Sequence, residues 1–293
     1  MAHKRLKAVD WSIKAVGEDF KPALTRFELY LRGNGLRRST VDDYVARVSR
    51  FLKYAQTDQP SVEIAKSYRE GLVSRNLARS TINNYGFAIR QYFKMVGVEI
   101  DFPFLDRNDN LPFFFDQDDV SKILGSCRNI KHLAMLKALF FGCLRASELC
   151  NLDDRDIDLK SQTIRIREGK NGKEGIVFVG DECARTLKQY LAIRPPRLVE
   201  DRQPVFYTAY GQRFDRRDVH RMFVSYKSRA GITKPGGVHC FGRHSPASIM
   251  VAKGCDIRIV QTILRHNDIR TTLRYVHIRD ETWRNAHVKF LSL

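Results

Sequence analysis

Residues 101–115 read Asp-Phe-Pro-Phe-Leu-Asp-Arg-Asn-Asp-Asn-Leu-Pro-Phe-Phe-Phe, and no helical or strand period survives across them. The prolines remove backbone donors, and the Asn/Asp run supplies turn formers. The stretch divides the 293 residues into two folding units, each of ordinary domain size. The expected layout is a helical domain over 15–101, a linker over 102–114 and a second domain over 115–293 ending in a tail.

Before the break the pattern is helical. Phe20, Leu24, Phe27 and Leu31 recur at three- and four-residue steps and make one apolar stripe. Gly33-Asn34-Gly35 ends it. Ser39 or Thr40 then reads as the cap of a second helix with the stripe Val41, Tyr44, Val45, Val48, Phe51 and Leu52. An echo follows: Leu36 to Tyr44 resembles Leu77 to Tyr85, each a basic loop, a Ser/Thr cap and an aromatic-bearing helix. Such N-termini are suited to meet phosphate, although an ordinary bundle with basic outer faces gives the same pattern.

After the break, Asp116 or Asp118 is expected to cap a helix that turns Val120, Ile123 and Leu124 inward. His132–Leu149 reads as one long apolar helix. Thr163 to Arg167 alternates with period two, Gly169 to Lys173 is a turn, and Ile176 to Val179 is a return strand. Helices are expected over Cys183–Ile193, 214–230 and 245–265. The fold class is therefore mainly α with a small β-sheet.

Lys and Arg number 51 against 33 Asp and Glu, a net charge of +18 spread along the chain. Such an excess favours a polyanionic partner. The six cysteines show no CxxC or zinc-ligand spacing, which fits a reduced cytosolic chain. No stretch approaches the length of a membrane span.

Against that basic background three short runs concentrate chemistry. They are Gly142-Cys143-Leu144-Arg145-Ala146-Ser147-Glu148-Leu149, His239-Cys240-Phe241-Gly242-Arg243-His244 and Leu264-Arg265-His266 through Tyr275. Arg145 follows an apolar run where an unpaired charge is expensive, and Glu148 is spaced to orient it. Lys170, with Lys173 second, sits at the hairpin tip, where a mobile ammonium lowered among cations would suit a general acid. His239 and Arg243 lie four apart and would share a helix face. Tyr275 stands nine residues after His266. Clustered cations are expected to lower its phenol pKa and make it a nucleophile. Two arginines on the non-bridging oxygens, a phenol and an acid are what phosphodiester cleavage through a phosphotyrosine needs.

The ordered set resembles the tyrosine recombinases, the phage integrase family. The Arg145 run is similar to their first arginine box, Gly169 to Lys173 to their hairpin lysine, and Leu264 to Tyr275 to their final box. Residues 20–100 resemble their helical core-binding domain, so the likeness spans nearly the whole chain. It implies a helical core-binding domain plus a mixed α/β, mostly α, catalytic domain. It implies that Tyr275 attacks the scissile phosphate to give a 3′-phosphotyrosyl bond and a 5′-hydroxyl. Arg145 and Arg243 would hold the non-bridging oxygens, Lys170 would protonate the leaving oxygen, and His239 and His266 would assist. No cofactor or metal is expected. The partners implied are double-stranded DNA, clamped between the domains, and a homotetramer assembled on it, with no membrane and a nucleoid location.

Two departures stand out. The family pattern is His-x-x-Arg, whereas this chain has His239-x-x-x-Arg243, with Cys240 at the usual spacing. An adjusted helix start is expected to keep His239 in place. Arg265 stands where a glycine often precedes the final-box histidine. The alternatives to a site-specific recombinase are a relaxing topoisomerase and a DNA-binding protein that retains the fold without activity. The short segment before residue 20 favours an Xer-type or small mobile-element enzyme. The apolar Trp283, Val288, Phe290 and Leu291 suggest a tail that docks in cis or on a neighbouring protomer.

Overall fold

The structure, a computed structural model, describes residues 20–106, 113–167, 174–195, 203–276 and 287–288. The chain divides into two compact units between Asp109 and Asn110.

The first unit is built from α1 (Lys21–Gly33), α2 (Arg38–Ala55), α3 (Val62–Ser74) and α4 (Arg79–Met95). The stripe of α1 buries Leu24, Phe27 and Leu31, joined by Ala23. That of α2 buries Val41, Val48, Phe51 and Leu52, with Tyr44 and Val45 half-buried. The repeated motifs form paired helices: the Arg47 guanidinium of α2 lies 4.9 Å from the ring centroid of Tyr85 on α4. Neither helix is capped as expected. Both begin one residue before the serine, after extended Arg37 and Ala78, with no side-chain cap. Ser39 and Ser80 lie inside the first turn and point to solvent. The front of the proline-bearing break belongs to this unit. Phe102 is buried in its core. The Asn83 amide also pairs with both backbone groups of Leu105, at 2.8 and 3.0 Å.

The second unit opens with Phe115, fully buried. Asp116 caps α5 (Gln117–Gly125) in a reciprocal box with Asp119. Then come α6 (Ile130–Phe141), α7 (Ala146–Cys150), an antiparallel sheet, α8 (Gly180–Ile193) and α9 (Arg216–Arg229). The sheet runs β1 (Ile157–Asp158), β2 (Thr163–Ile166), β3 (Gly175–Phe178), in that order. The register sets Ile166 opposite Gly175. β1, two residues long, carries too short a pattern to be read in sequence. A π turn (Cys240–His244) leads without a break into α10 (Ser245–Ala252), followed by α11 (Ile257–Leu264) and α12 (Ile269–Leu273).

Two expected helices are divided. The stretch 132–149 breaks after Phe141: Leu144 N–H reaches back to the Leu139 carbonyl, and Cys143 adopts a positive φ of 47°. Gly142 makes the bend possible. A Cβ there would lie 2.8 Å from the Ala138 carbonyl oxygen. The stretch 245–265 is parted at Gly254, which has a φ of +83°. The core gathers around α6. Phe140 and Phe223 each pack on Phe241 of the π turn, with ring centroids 5.6 and 5.1 Å away.

Candidate active site

Arg145 immediately precedes α7, with an extended backbone at φ −76°, ψ 150°. Its N–H donates to Glu148 Oε2 at 2.9 Å and its Nη1 to Oε1 at 2.6 Å. The expected Arg145–Glu148 pair therefore forms across a helix start, not along a helix face. Glu148 is only 4 % exposed. Burial pushes its carboxyl up, but Arg265, the Arg145 N–H and the Arg145 guanidinium pull it below the usual carboxylate value.

Arg243 is 1 % exposed. Its Nη1 donates to the Cys143 carbonyl at 2.6 Å and its Nη2 to the Leu264 carbonyl. Those carbonyls lie two residues before Arg145 and two before His266. One guanidinium thus fastens the first and last boxes to the middle one, and uses two of its five N–H donors to do so. Burial, reinforced by Arg145 and Arg265, lowers its pKa to about 10, so it stays charged at neutral pH.

The extra residue between His239 and Arg243 is taken up by the π turn, in which the Ser245 N–H bonds the Cys240 carbonyl five residues back. A π turn takes in about one more residue before closing than an α turn does. Four residues therefore sweep nearly the angle that three sweep in an α-helix. Cys240 points away: it is buried in the apolar core and its thiol meets the Phe113 carbonyl. His239 is the residue in the polar cluster, with its ring centroid 5.0 Å from that of His244, edge to face. Burial, then Arg243 and Arg145, lowers its pKa.

Tyr275 lies just past α12. That helix begins at Ile269, capped by the Asp268 side chain on Arg270 N–H. The Tyr275 hydroxyl is 2.8 Å from His244 Nδ1. The His266 ring stacks on the phenol at 6.5 Å and is itself fixed by Thr272 Oγ1, 2.9 Å from Nδ1. Burial first, then nearby cationic and imidazole groups, lowers both histidines to about 4, so both are neutral at pH 7. The expected lowering of the phenol pKa is overturned. Tyr275 is 3 % exposed, and burial raises its pKa by more than Arg243 and Arg274 lower it. At neutral pH the phenol is therefore protonated and sits against a neutral imidazole.

Of the sequence candidates, Arg145, His239, Arg243, His266 and Tyr275 converge in one cluster. Lys170 and Lys173 lie outside the described residues, as does the tail after Val276 apart from His287 and Val288. His244, which is not among those candidates, holds the phenol. Among the described residues no group of three or more His, Cys, Asp or Glu is placed to hold a metal ion.

Residues 114–282, more than half of the chain, match the model of the phage integrase family. The chain belongs to that family. Residues 24–99 match the phage integrase N-terminal SAM-like domain, which corresponds to the four-helix unit. Over 262 residues the chain is 29 % identical to the tyrosine recombinase XerC of Thermodesulfovibrio yellowstonii, covering 82 % of this chain and 85 % of that one. It is 28 % identical to XerA of Pyrococcus horikoshii over 90 % and 91 % of the two chains. In three dimensions it resembles XerH bound to its difH substrate, with a TM-score of 0.72 at 18 % identity over 94 % of this chain and 97 % of that one. This integrase-family chain is a tyrosine-type site-specific recombinase. Among its described residues no helix is long and apolar enough to cross a membrane.

Proposed function

We propose that Tyr275 of this chain attacks a scissile phosphate of duplex DNA, giving a 3′-phosphotyrosyl bond and a free 5′-hydroxyl. The observation that carries this is the 2.8 Å contact between the Tyr275 hydroxyl and His244 Nδ1, inside a cluster that also holds Arg243. In attack, the phenol oxygen forms a bond to phosphorus while its proton passes to the neutral His244 ring. Arg145 and Arg243 stabilise the charge that develops on the non-bridging oxygens. Lys170 protonates the leaving 5′ oxygen, and His239 and His266 donate hydrogen bonds. Because the phosphotyrosyl bond conserves the phosphodiester's energy, rejoining needs no nucleotide cofactor.

The first unit and the second are proposed as the two DNA-gripping domains, joined near residues 102–114, acting on a specific site as a homotetramer in the cytoplasm at the nucleoid. The net charge of +18 supports a polyanionic partner.

The test traps adducts. The full chain is incubated with nicked genomic fragments, and the protein–DNA junctions are sequenced. The recovered junction is then rebuilt as a suicide duplex that releases the 5′-hydroxyl strand. Wild type is expected to accumulate covalent adduct. Tyr275→Phe is expected to give none while binding the duplex with unchanged affinity. Adduct persisting in Tyr275→Phe rules out the assigned nucleophile. Tight binding without adduct in wild type favours a binding protein of this fold.

A further inference from the structure

Arg265 adopts a left-handed backbone, φ 53° and ψ 48°, at the C-terminus of α11. Glycine takes this conformation without strain, and a residue with a Cβ does not. Its side chain folds inward over the start of β3. There any Cβ on Gly175 would come within 2.8 Å of Arg265 Cδ. Its Nη2 ends 2.6 Å from Glu148 Oε2, the oxygen that also accepts the Arg145 N–H. Its Nη1 and Nη2 also reach the Ile263 and Cys143 carbonyls, at 3.3 and 3.5 Å, while its Nε is buried without a hydrogen-bond partner among the described residues.

A buried carboxylate with a single cationic partner cancels that partner's charge. Here Glu148 touches two guanidiniums, and a third, Arg243, lies close enough for both to affect its titration. Three positive groups and one negative group leave 3 − 1 = +2. Without Arg265 the same cluster carries 2 − 1 = +1. The phosphorane formed by attack on a phosphodiester bears two negative charges. An environment with matching charge stabilises it more than one that is half neutralised.

We propose that Arg265 is a positioning residue of the phosphate pocket. It takes up the charge of Glu148 so that Arg145 presents its own charge to the scissile phosphate. This rests on the functional reading above. It assigns the arginine before the final-box histidine a purpose that outweighs the strain of its backbone.

The test uses the full chain and the suicide duplex built on the junction recovered from wild-type adducts, under single-turnover conditions at saturating protein. Arg265→Gln, polar but shorter and uncharged, is expected to cleave about tenfold more slowly, the scale of coupling within a shared ion network. DNA affinity should change little. Arg265→Lys, which keeps the charge, should retain most of the rate. Adding Glu148→Gln to Arg265→Gln removes the unopposed carboxylate while leaving an oxygen to accept the Arg145 N–H. That double variant should recover most of the lost rate, an outcome that a merely structural role for Arg265 does not give. The proposal is overturned if Arg265→Gln cleaves at the wild-type rate, if Arg265→Lys is as slow as Arg265→Gln, or if Glu148→Gln restores nothing. If wild type itself forms no adduct, the functional reading fails first.

Discussion

His244 and Tyr275 stand 31 residues apart and share one hydrogen bond. In the proposed function this imidazole takes the phenol's proton, and general-base assistance is worth about a hundredfold or more. His244→Asn is therefore expected to slow single-turnover cleavage by about two orders of magnitude with DNA affinity retained. The same burial makes folding pH-dependent. In the folded chain the pKa of His244 and of His266 is about 4, against 6.5 as the ordinary value. Between those values the unfolded chain binds more protons, so stability is complete above about pH 6.5 and is lost as pH falls toward 4. Thermal melts from pH 7 to pH 4.5 should show a falling midpoint, with a shallower slope in His244→Asn. A pH-independent midpoint contradicts burial of neutral rings. No linear pattern pairs a histidine with a tyrosine this distant. The final box, by contrast, was legible because nine residues of turn and short helix set His266 against Tyr275 locally.

At the scale of elements, the sequence shows where apolar stripes run but not where they bend. The stretch 132–149 keeps helical spacing across Gly142, and only the positive φ at Cys143 divides α6 from α7. That division puts Arg145 at a helix entrance, where its N–H and guanidinium meet one carboxylate together. The π turn was equally hidden, because a four-residue spacing reads the same on paper whether the turn is α or π. Its packing can be tested at Gly242, where an added Cβ would lie 3.0 Å from the Leu144 carbonyl and 3.2 Å from that of Leu139. Gly242→Ala should destabilise by about 1–3 kcal/mol, as overpacking does. It should also slow cleavage, because the displaced Leu144 carries Arg145. Denaturant melts matching those of wild type would show that the turn has slack.

Over the whole molecule, the two-unit division and the helical character followed from the break at 101–115. Its exact extent did not. Phe102 and Leu105 are apolar enough to be claimed by the first core, and Asn83 fixes Leu105 there with paired hydrogen bonds. The spread of positive charge makes a prediction at this scale. If the full chain neutralises six or more phosphates, its affinity for duplex DNA should fall by about three orders of magnitude between roughly 50 and 200 mM salt. A flat salt titration would mean that the charge serves something other than DNA.

Arg243 joins the Cys143 and Leu264 carbonyls, from segments 264 − 143 = 121 residues apart, and in the proposed function also holds the scissile phosphate. Its removal takes a donor from each of two carbonyls, leaving that of Cys143 only the longer contact from Arg265 Nη2, and loosens both neighbouring boxes. An inactive Arg243→Ala protein would therefore report a loosened scaffold as much as a lost charge. A lineage that abandoned catalysis would still be held to arginine at this position. Finding it in a relative identifies the architecture and says little about whether that relative still cuts.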